Sequence, residues 1–135
     1  MAPSDESIRG LLAHSMTITV VGCSRDPEKP ANRIPAYLQE RGYKIIPINP
    51  SADKILGVKA FKSLSDVKQP IDIVNVFRPS EEAVAIVQEA VKIGSKAVWL
   101  QLGIENEEAG RLARQHGILF VQNRCIMVEH QRLLS

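Results

Sequence analysis

Residues 17–33 read T-I-T-V-V-G-C-S-R-D-P-E-K-P-A-N-R, and this stretch decides the predicted fold. The β-branched run from Thr17 to Val21 is typical of a parallel strand that is buried on both faces. Gly22 and a polar, basic loop follow, and Pro30 suits the first turn of a helix. A helix that starts in this way turns its unpaired N–H groups and its positive dipole end toward an anion. The stretch therefore predicts a phosphate site at the end of the first strand.

The loop after the first strand lacks the glycines of a dinucleotide fingerprint. No glycine occurs between Gly22 and Gly42, so the G-x-G-x-x-G pattern of NAD-binding domains is absent. The second predicted strand ends at Asn49 and Pro50, where an NAD-binding domain usually presents an acid. Asn49 either hydrogen-bonds a sugar or base edge, or only forms a turn. The pattern favours a nucleotide other than NAD.

Cations take the place of the missing glycines. The loop and the helix start contain three basic residues, Arg25, Lys29 and Arg33, and the loop also contains the hydroxyl of Ser24. Their charge is enough for a diphosphate and one further phosphate, and Lys54 is a second possible partner for such a group. A solvated basic turn is the alternative interpretation.

The composition excludes several classes of function. The chain has 135 residues with 17 Lys and Arg against 15 Asp and Glu, a net charge of +2 that does not suit general nucleic-acid or membrane-surface binding. No run approaches the roughly 18 apolar residues of a membrane span, and residues 1–7 do not resemble a secretion signal. We therefore expect a cytoplasmic protein. Cys23 and Cys125 lie far apart without a C-x-x-C spacing, which supports neither a zinc site nor a disulfide framework.

Segments with strand and helix patterns alternate along the chain. We expect strands at 17–22, 44–49, 58–61, 71–77, 97–102 and 118–122, and helices at 4–14, 30–42, 63–67, 80–94, 106–116 and 126–134. This order predicts an α/β, Rossmann-like domain with three layers around a parallel sheet of about five strands. We expect a single domain over 1–135, with an N-terminal helix within 1–15 and the core at 17–130. Ligands bind such sheets at the carboxyl ends of the strands.

The loops that follow the later strands hold further candidate side chains. Arg78, between Phe77 and Pro79, either faces a ligand or pairs with a glutamate at 81 or 82. Gly103 either lets the backbone approach a ligand closely or only makes a turn. Trp99 lies within a strand pattern and is expected in the core.

Catalytic and metal-binding sets are absent from the pattern. All three histidines, His14, His116 and His130, fall on predicted helices or their ends and are expected at the surface. Cys125 follows the last strand beside a cation, Arg124, a setting that suits thiol chemistry. Burial as a small apolar side chain is the alternative for both cysteines.

Five ordered blocks of the sequence resemble one known family, the single-domain CoA-binding proteins. The blocks are V-V-G-C-S at 20–24, R-G-Y-K-I-I-P-I-N-P at 41–50, D-I-V-N-V-F-R-P at 72–79, A-V-W-L-Q-L-G-I at 97–104 and R-C at 124–125. That family is similar to the amino-terminal CoA-binding domain of the succinyl-CoA synthetase α subunit. The resemblance runs from about residue 17 to residue 130.

The resemblance implies a domain that binds coenzyme A or an acyl-CoA along the carboxyl edge of its sheet. It assigns the phosphate loop to Gly22, Cys23, Ser24 and Arg25, with Arg33 at the helix start. It assigns the adenosine end to Asn49 and Pro50. The contact with the nucleotide or the pantetheine arm falls to Phe77, Arg78 and Pro79, and a later turn to Gly103. The synthetase carries its phosphorylated histidine on a second domain that this chain does not reach, so ligase activity is not implied. A binding module, alone, as a homodimer or with a partner enzyme, is expected rather than an enzyme.

Two other functions stay open at this point. In one, Cys125 exchanges with the thiol of coenzyme A, which would make the protein a thiol or redox protein. In the other, the chain is an NAD-dependent enzyme, which the missing glycines and acid disfavour. All three functions share one fold, so the strand and helix pattern does not separate them.

Overall fold

The computed structural model describes residues 2–134 and contains a five-stranded parallel sheet with helices on both faces. The strands are β1 Thr17–Val21, β2 Lys44–Ile48, β3 Lys54–Ile55, β4 Val58–Lys59, β5 Ile73–Val76, β6 Ala97–Leu100 and β7 Leu119–Val121. The helices are α1 Asp5–His14, α2 Pro30–Glu40, α3 Ala83–Ile93, α4 Glu107–Gln115 and α5 Ile126–Leu134. The predicted α/β, Rossmann-like fold is confirmed.

The strand order creates a crevice at one edge of the sheet. The main sheet runs β2-β1-β5-β6-β7, all parallel, while β3 and β4 form a separate antiparallel pair. The chain moves outward from β1 to β2 and then returns to the other side of β1 to form β5. This reversal leaves a gap between the connections that leave β1 and β5, and open α/β sheets bind ligands at such a point.

The core consists of two apolar layers, one on each face of the sheet. Alternate strand residues such as Ile18, Ile73 and Trp99 belong to the layer shared with α1, α2 and α5, whereas Val74 and Val98 belong to the layer shared with α3 and α4. Strands covered on both faces explain the continuous apolar runs in the sequence. The expectation that Trp99 is a core residue is confirmed, because its side chain is fully buried.

The structure departs from the sequence-based expectations in three places. The helix expected over 80–94 begins as a 3₁₀ turn at Ser80–Glu82, and α3 itself begins at Ala83; the Ser80 hydroxyl caps no helix and accepts a hydrogen bond from the Glu105 amide at 3.2 Å. Strand β3 is not among the predicted strands, since two residues carry no readable periodicity. The prediction of a surface position is wrong for His130, which is buried on α5 against the rings of Tyr37 and Tyr43. Among residues 2–134, no helix combines the length and hydropathy required to cross a membrane.

Candidate functional site

A cleft of about 930 Å³ opens where β1, β2 and β5 end, at the point where the strand order reverses. Cofactor sites commonly measure roughly 300–1,000 Å³, so the cleft has a suitable size. Eight of the thirteen candidate residues line it, namely Gly22, Cys23, Ser24, Lys29, Asn49, Pro50, Phe77 and Arg78. The fold thus brings together residues from three separate loops of the sequence.

The five other candidate residues do not line this cleft. They are Arg25, Arg33, Pro79, Gly103 and Cys125. Arg33 donates through Nη1 to the carbonyl of Glu28 and so braces the first loop from outside. Gly103 lies after β6, where its amide donates to Asn123 Oδ1 at 2.7 Å. Lys54 lies on β3 and is also outside the cleft lining.

Gly22 lies where the first loop passes close to the end of β5. Its φ is +85°, and a Cβ there would lie 2.9 Å from the Phe77 carbonyl oxygen and 3.0 Å from Arg78 Cδ. A side chain would therefore collide with backbone and strain the left-handed conformation. The absence of a side chain lets the Arg78 stem lie across the end of β1.

The first loop is held in shape by its own hydrogen bonds. Asp26 donates its amide to Ser24 Oγ at 3.0 Å, Asn32 Nδ2 donates to the Ser24 carbonyl at 2.8 Å, and Asn49 Nδ2 donates to the Cys23 carbonyl at 2.9 Å. Within residues 2–134 the amides of Cys23 and Arg25 have no acceptor. The loop is thus preformed with two donors left over for a ligand.

Asn49 serves the first loop and its own turn at the same time. Its Nδ2 braces the first loop through Cys23, and its Oδ1 accepts from the Ser51 amide at 2.7 Å. The second bond is the side-chain turn typical of asparagine. Asn49 therefore fixes the floor of the cleft and keeps one Nδ2 proton for another acceptor.

The start of α2 is the electropositive end of the cleft. Lys29 occupies the N-cap position without a side-chain capping bond, Pro30 follows, and the first turn contains no acid. No acid within the first turn and no side-chain cap offsets the partial positive charge of the helix start. Lys29 adds a full positive charge to the cleft wall.

Helix α3 and the 3₁₀ turn before it form the opposite wall, and this wall is acidic. It presents Glu81, Glu82 and Glu89 around the apolar side chains of Ala85 and Ile86. Three carboxylates thus share one cleft with three cations, which are Lys29, Lys62 and Arg78. A ligand with both anionic and apolar parts suits such mixed walls.

Arg78 is already paired in this structure. Its Nε donates to Glu82 Oε1 at 3.1 Å and its Nη2 to Glu82 Oε2 at 2.6 Å, which is the second of the two interpretations offered by the sequence. The hydrogen bonds with Arg78 hold the pKa of the Glu82 carboxyl below its usual value, and Glu82 raises the pKa of Arg78. Both side chains are nearly half exposed, so water screens the pair.

Sequence reasoning missed Lys62 and Ser63, which also line the cleft. The β3–β4 pair turns the chain back toward β2, where the Phe61 amide donates to the Pro47 carbonyl and Ile48 bridges to Phe61. Lys62 then reaches the cleft and donates to the Pro50 carbonyl at 3.3 Å. No local pattern could have placed Lys62 in the cleft, because its position depends on how β3 and β4 return the chain to β2.

The two cysteines occupy different environments. Cys23 is 1% exposed, and its burial raises the pKa of its thiol to about 12, with the Ser24 amide offsetting this only in part. Cys125 is partly exposed immediately before α5, outside the cleft lining. Thiolate is the reactive form of cysteine, so Cys23 is unsuited to thiol chemistry at neutral pH.

The segment around Cys125 is firmly anchored. Trp99 Nε1 donates to the Arg124 carbonyl at 2.8 Å, and the Ile126 amide donates to Gln101 Oε1 at 2.9 Å. One turn into α5, the carboxylate of Glu129 binds Arg132 and Arg124, which together hold the pKa of Glu129 below its usual value. These contacts join the end of β6 to α5.

The chain is similar to known proteins over nearly its whole length. A family model described as CoA binding domain matches residues 16–131. YneT of Bacillus subtilis strain 168, described as an uncharacterized protein, is 40% identical over 128 residues that cover 95% of each chain. The solved structure of a hypothetical protein from Pyrococcus horikoshii OT3 superimposes with a TM-score of 0.94 at 39% identity, and covers 98% of this chain and 94% of that chain.

A larger enzyme also contains a similar region. The ADP-forming acetate–CoA ligase II of Archaeoglobus fulgidus is 32% identical over 119 residues, which cover 79% of this chain and 18% of the ligase. The chain therefore spans less than a fifth of that relative's length.

Proposed function

This chain belongs to the family of CoA binding domains, and from that premise we propose that it binds coenzyme A or an acyl-CoA through the phosphates, at the carboxyl edge of its sheet. The observation that carries the proposal is the cleft at the β1–β5 reversal, which has the uncapped start of α2 at one end. The proposal concerns binding and does not include ligation.

The diphosphate is proposed to lie against the first loop and the start of α2. The free amide of Cys23, which lines the cleft, and the positive helix end are donors that such a group requires. Lys29 supplies charge on the same wall, and Arg78, whose stem lies beside Gly22, is the arginine of the cleft lining. Phosphate oxygens and these donors form charge-assisted hydrogen bonds, which are stronger than neutral ones.

The adenosine end is proposed to lie beside Asn49 and Pro50, where Lys62 provides a second cation for the ribose phosphate. Cations on two separate segments, one on the first loop and one after β4, suit a ligand with two separate phosphate positions. Coenzyme A is such a ligand, whereas NAD lacks the 3′-phosphate. Phe77, at the end of β5, is the apolar contact proposed for the nucleotide or the pantetheine arm.

Calorimetric titration with coenzyme A, dephospho-CoA and NAD tests the proposal. We expect binding of coenzyme A, weaker binding of dephospho-CoA because one charge-assisted contact is lost, and the weakest binding of NAD. Lys62→Ala should reduce the difference between coenzyme A and dephospho-CoA, while Lys54→Ala, outside the cleft lining, should not. Equal affinity for the three ligands, or no heat with any of them, would contradict the proposal.

A second candidate function is thiol exchange with coenzyme A, and the contrast between the two cysteines favours Cys125 for it. Cys125 is partly exposed, whereas Cys23 is buried with a raised thiol pKa. In the exchange, the Cys125 thiolate attacks one sulfur of a CoA disulfide, a protein–CoA disulfide forms, and one CoA thiolate leaves. The CoA disulfide is the oxidant, so atoms and electrons balance.

Mass spectrometry after incubation with CoA disulfide tests this second candidate. The wild type should gain one CoA per chain, and dithiothreitol should remove it. Cys125→Ser should lose the adduct while Cys23→Ser keeps it. An adduct on Cys23, or none on the wild type, would exclude the exchange without affecting the binding proposal.

A further inference from the structure

The Arg78–Glu82 pair lines the cleft, and among the described residues no other ion pair joins two side chains of its lining. A guanidinium binds two oxygens of one anion through a pair of parallel N–H groups. Glu82 takes such a pair, Nε and Nη2. An anion that approaches this edge of Arg78 therefore meets a position that the protein already fills.

We propose that Glu82 competes with the ligand's phosphate for Arg78, so that binding exchanges one bidentate partner of the guanidinium for another. This inference rests on the proposed function, since it assumes an anionic ligand in the cleft. Glu82 thus lowers the affinity for the ligand by holding Arg78 before the ligand binds, and it does not itself contact the bound ligand.

The exposure of the pair makes the exchange feasible. The two side chains are 47% and 46% exposed, and ion pairs in such settings hold together only weakly. A diphosphate carries a negative charge on each of its two phosphorus groups and offers two unbridged oxygens at each, so it presents more charge to the guanidinium than one carboxylate does. The pair can therefore open without disturbing the fold.

The position of the Arg78 stem directs the freed guanidinium toward the proposed phosphate loop. Cδ of Arg78 lies 3.0 Å from the point where a Gly22 Cβ would be, so the stem crosses the end of β1. From there the head group points to Glu82 because that carboxylate holds it. Since the stem already lies beside Gly22, rotation about the terminal side-chain bonds is the movement by which the guanidinium would reach a phosphate bound at this loop.

The neighbouring charges define the consequence of the exchange. When Arg78 leaves, Glu82 becomes an unpaired carboxylate on the acidic wall, beside Glu81 and beside Glu89, which pairs with Lys92 at 3.5 Å. The repulsion between this freed carboxylate and the bound polyanion adds to the free energy needed to break the pair. The Arg78–Glu82 pair thereby lowers the affinity for every ligand that uses Arg78, and for no other.

The test compares Glu82→Gln with Glu81→Gln, which removes the same charge from the adjacent position of the same wall. Titration with coenzyme A, and separately with inorganic pyrophosphate, should show binding about 5-fold tighter for Glu82→Gln and at most about 2-fold tighter for Glu81→Gln. The same pair of changes is then made in an Arg78→Ala background. There the two substitutions should have equal effects, since Glu82 has nothing left to hold.

A second readout follows Arg78 directly. The Nε–H signal of Arg78 in a nitrogen–proton spectrum should shift when pyrophosphate is added to the wild type, and Glu82→Gln should already show part of that shift without ligand. Urea unfolding of each variant confirms that the fold is unchanged.

The outcomes separate this inference from the proposed function. If Glu82→Gln binds no more tightly than Glu81→Gln, or if the gain persists in Arg78→Ala, the competition is refuted while coenzyme A binding stands. If coenzyme A does not bind but pyrophosphate shows the coupled gain, the competition stands and the proposed ligand is wrong. Failure of both probes refutes both.

Discussion

Helices α2 and α4 both begin close to the carboxyl edge of the sheet, yet their first turns differ in capping and in charge. At α4, Asn106 Oδ1 accepts from the Ala109 amide at 2.9 Å, and two acids, Glu107 and Glu108, follow. At α2 the N-cap is Lys29, with no capping bond and no acid in the first turn. The start of α4 therefore has a side-chain cap and acids that offset its positive dipole end, whereas the start of α2 has neither.

This difference identifies the site better than the presence of a helix start does. The Asn106 amide itself donates to Gln122 Oε1 at 2.9 Å, so this donor at the α4 start is satisfied within the protein. Every parallel sheet of this type has several helix starts at its ligand edge, and capping residues close most of them. An uncapped start beside cations is the one that suits an anion.

The largest expected effect comes from filling the space between Gly22 and the end of β5. Gly22→Ala should lower the free energy of unfolding by about 1–3 kcal/mol, because alanine strains at a φ of +85° and its Cβ meets Phe77. It should also weaken coenzyme A binding by about 100-fold, since Arg78 must move. Urea unfolding and calorimetry measure the two quantities.

Gly42→Ala is the matched control for that variant. Gly42 has a φ of +99°, but nothing lies within 4 Å of the position that a Cβ would occupy there. It should therefore show the backbone strain with unchanged affinity. If Gly42→Ala loses binding as Gly22→Ala does, the close approach to Phe77 is not the reason.

Reversing the charge at the α2 start should move stability and binding in opposite directions. Lys29→Glu places an acid at the positive helix end and should stabilise the fold by about 0.3–1 kcal/mol. The same change should weaken coenzyme A binding by about 10-fold at low salt, and less at high salt. Lys54→Glu, on β3, is the control and should leave the affinity unchanged. A parallel loss of stability and affinity in Lys29→Glu would show that the residue is structural.

Removing the cap of α4 should lower the stability of the protein without changing its affinity for coenzyme A. Asn106→Ala loses the bond to Ala109 and a second one to the Ser80 carbonyl, and should destabilise the protein by about 1 kcal/mol. Coenzyme A affinity should stay the same, because this helix start is not part of the cleft lining. A marked change in affinity would mean that the two helix starts are not independent.

The smallest expected effect is a pH dependence of the free energy of unfolding, and it comes from His130 on α5 and from neither helix start. Burial, and then the charge of Arg41, lower the pKa of His130 below its usual 6.5, so the folded protein favours the neutral ring. The unfolded chain takes up the proton more readily, so this contribution is complete above about pH 6.5 and is lost as the pH falls toward the lower folded value. Unfolding curves recorded from about pH 7.5 down to about pH 5.5 should show the decline.

The variant His130→Gln should show a smaller decline over the same range. Glu129 acts at lower pH, because its pKa is also lowered and its contribution is lost only as the pH falls through that value. An identical slope in His130→Gln and in the wild type would assign the dependence to other groups.

The stretch from Thr17 to Pro30 was readable because each signal is local. A β-branched strand, one glycine and a proline at the first helical turn require only neighbouring residues, and the structure has β1 and α2 as expected. The side-chain partners were not readable in the same way. Arg33 turns to the Glu28 carbonyl, and no feature of its sequence position reveals that choice.

The set of residues that line the cleft was harder to predict. Pattern and spacing indicated which loops end at the carboxyl edge, but not the order in which the strands lie. Lys62 enters the cleft because β3 and β4 return the chain to β2, and Gly103 stays out because β6 lies one strand beyond β5. Both outcomes depend on long-range pairing.

Local patterns in the sequence were enough to predict the alternation of strands and helices, the two-faced burial of the strands and the basic start of α2 at Pro30. These properties follow from periodicity and from capping chemistry, which act over a few residues. Long-range packing was needed to bury Cys23 while leaving Cys125 partly exposed, and to bring three loops together in one cleft. Those facts depend on strand order and packing, in which residues far apart in the chain become neighbours.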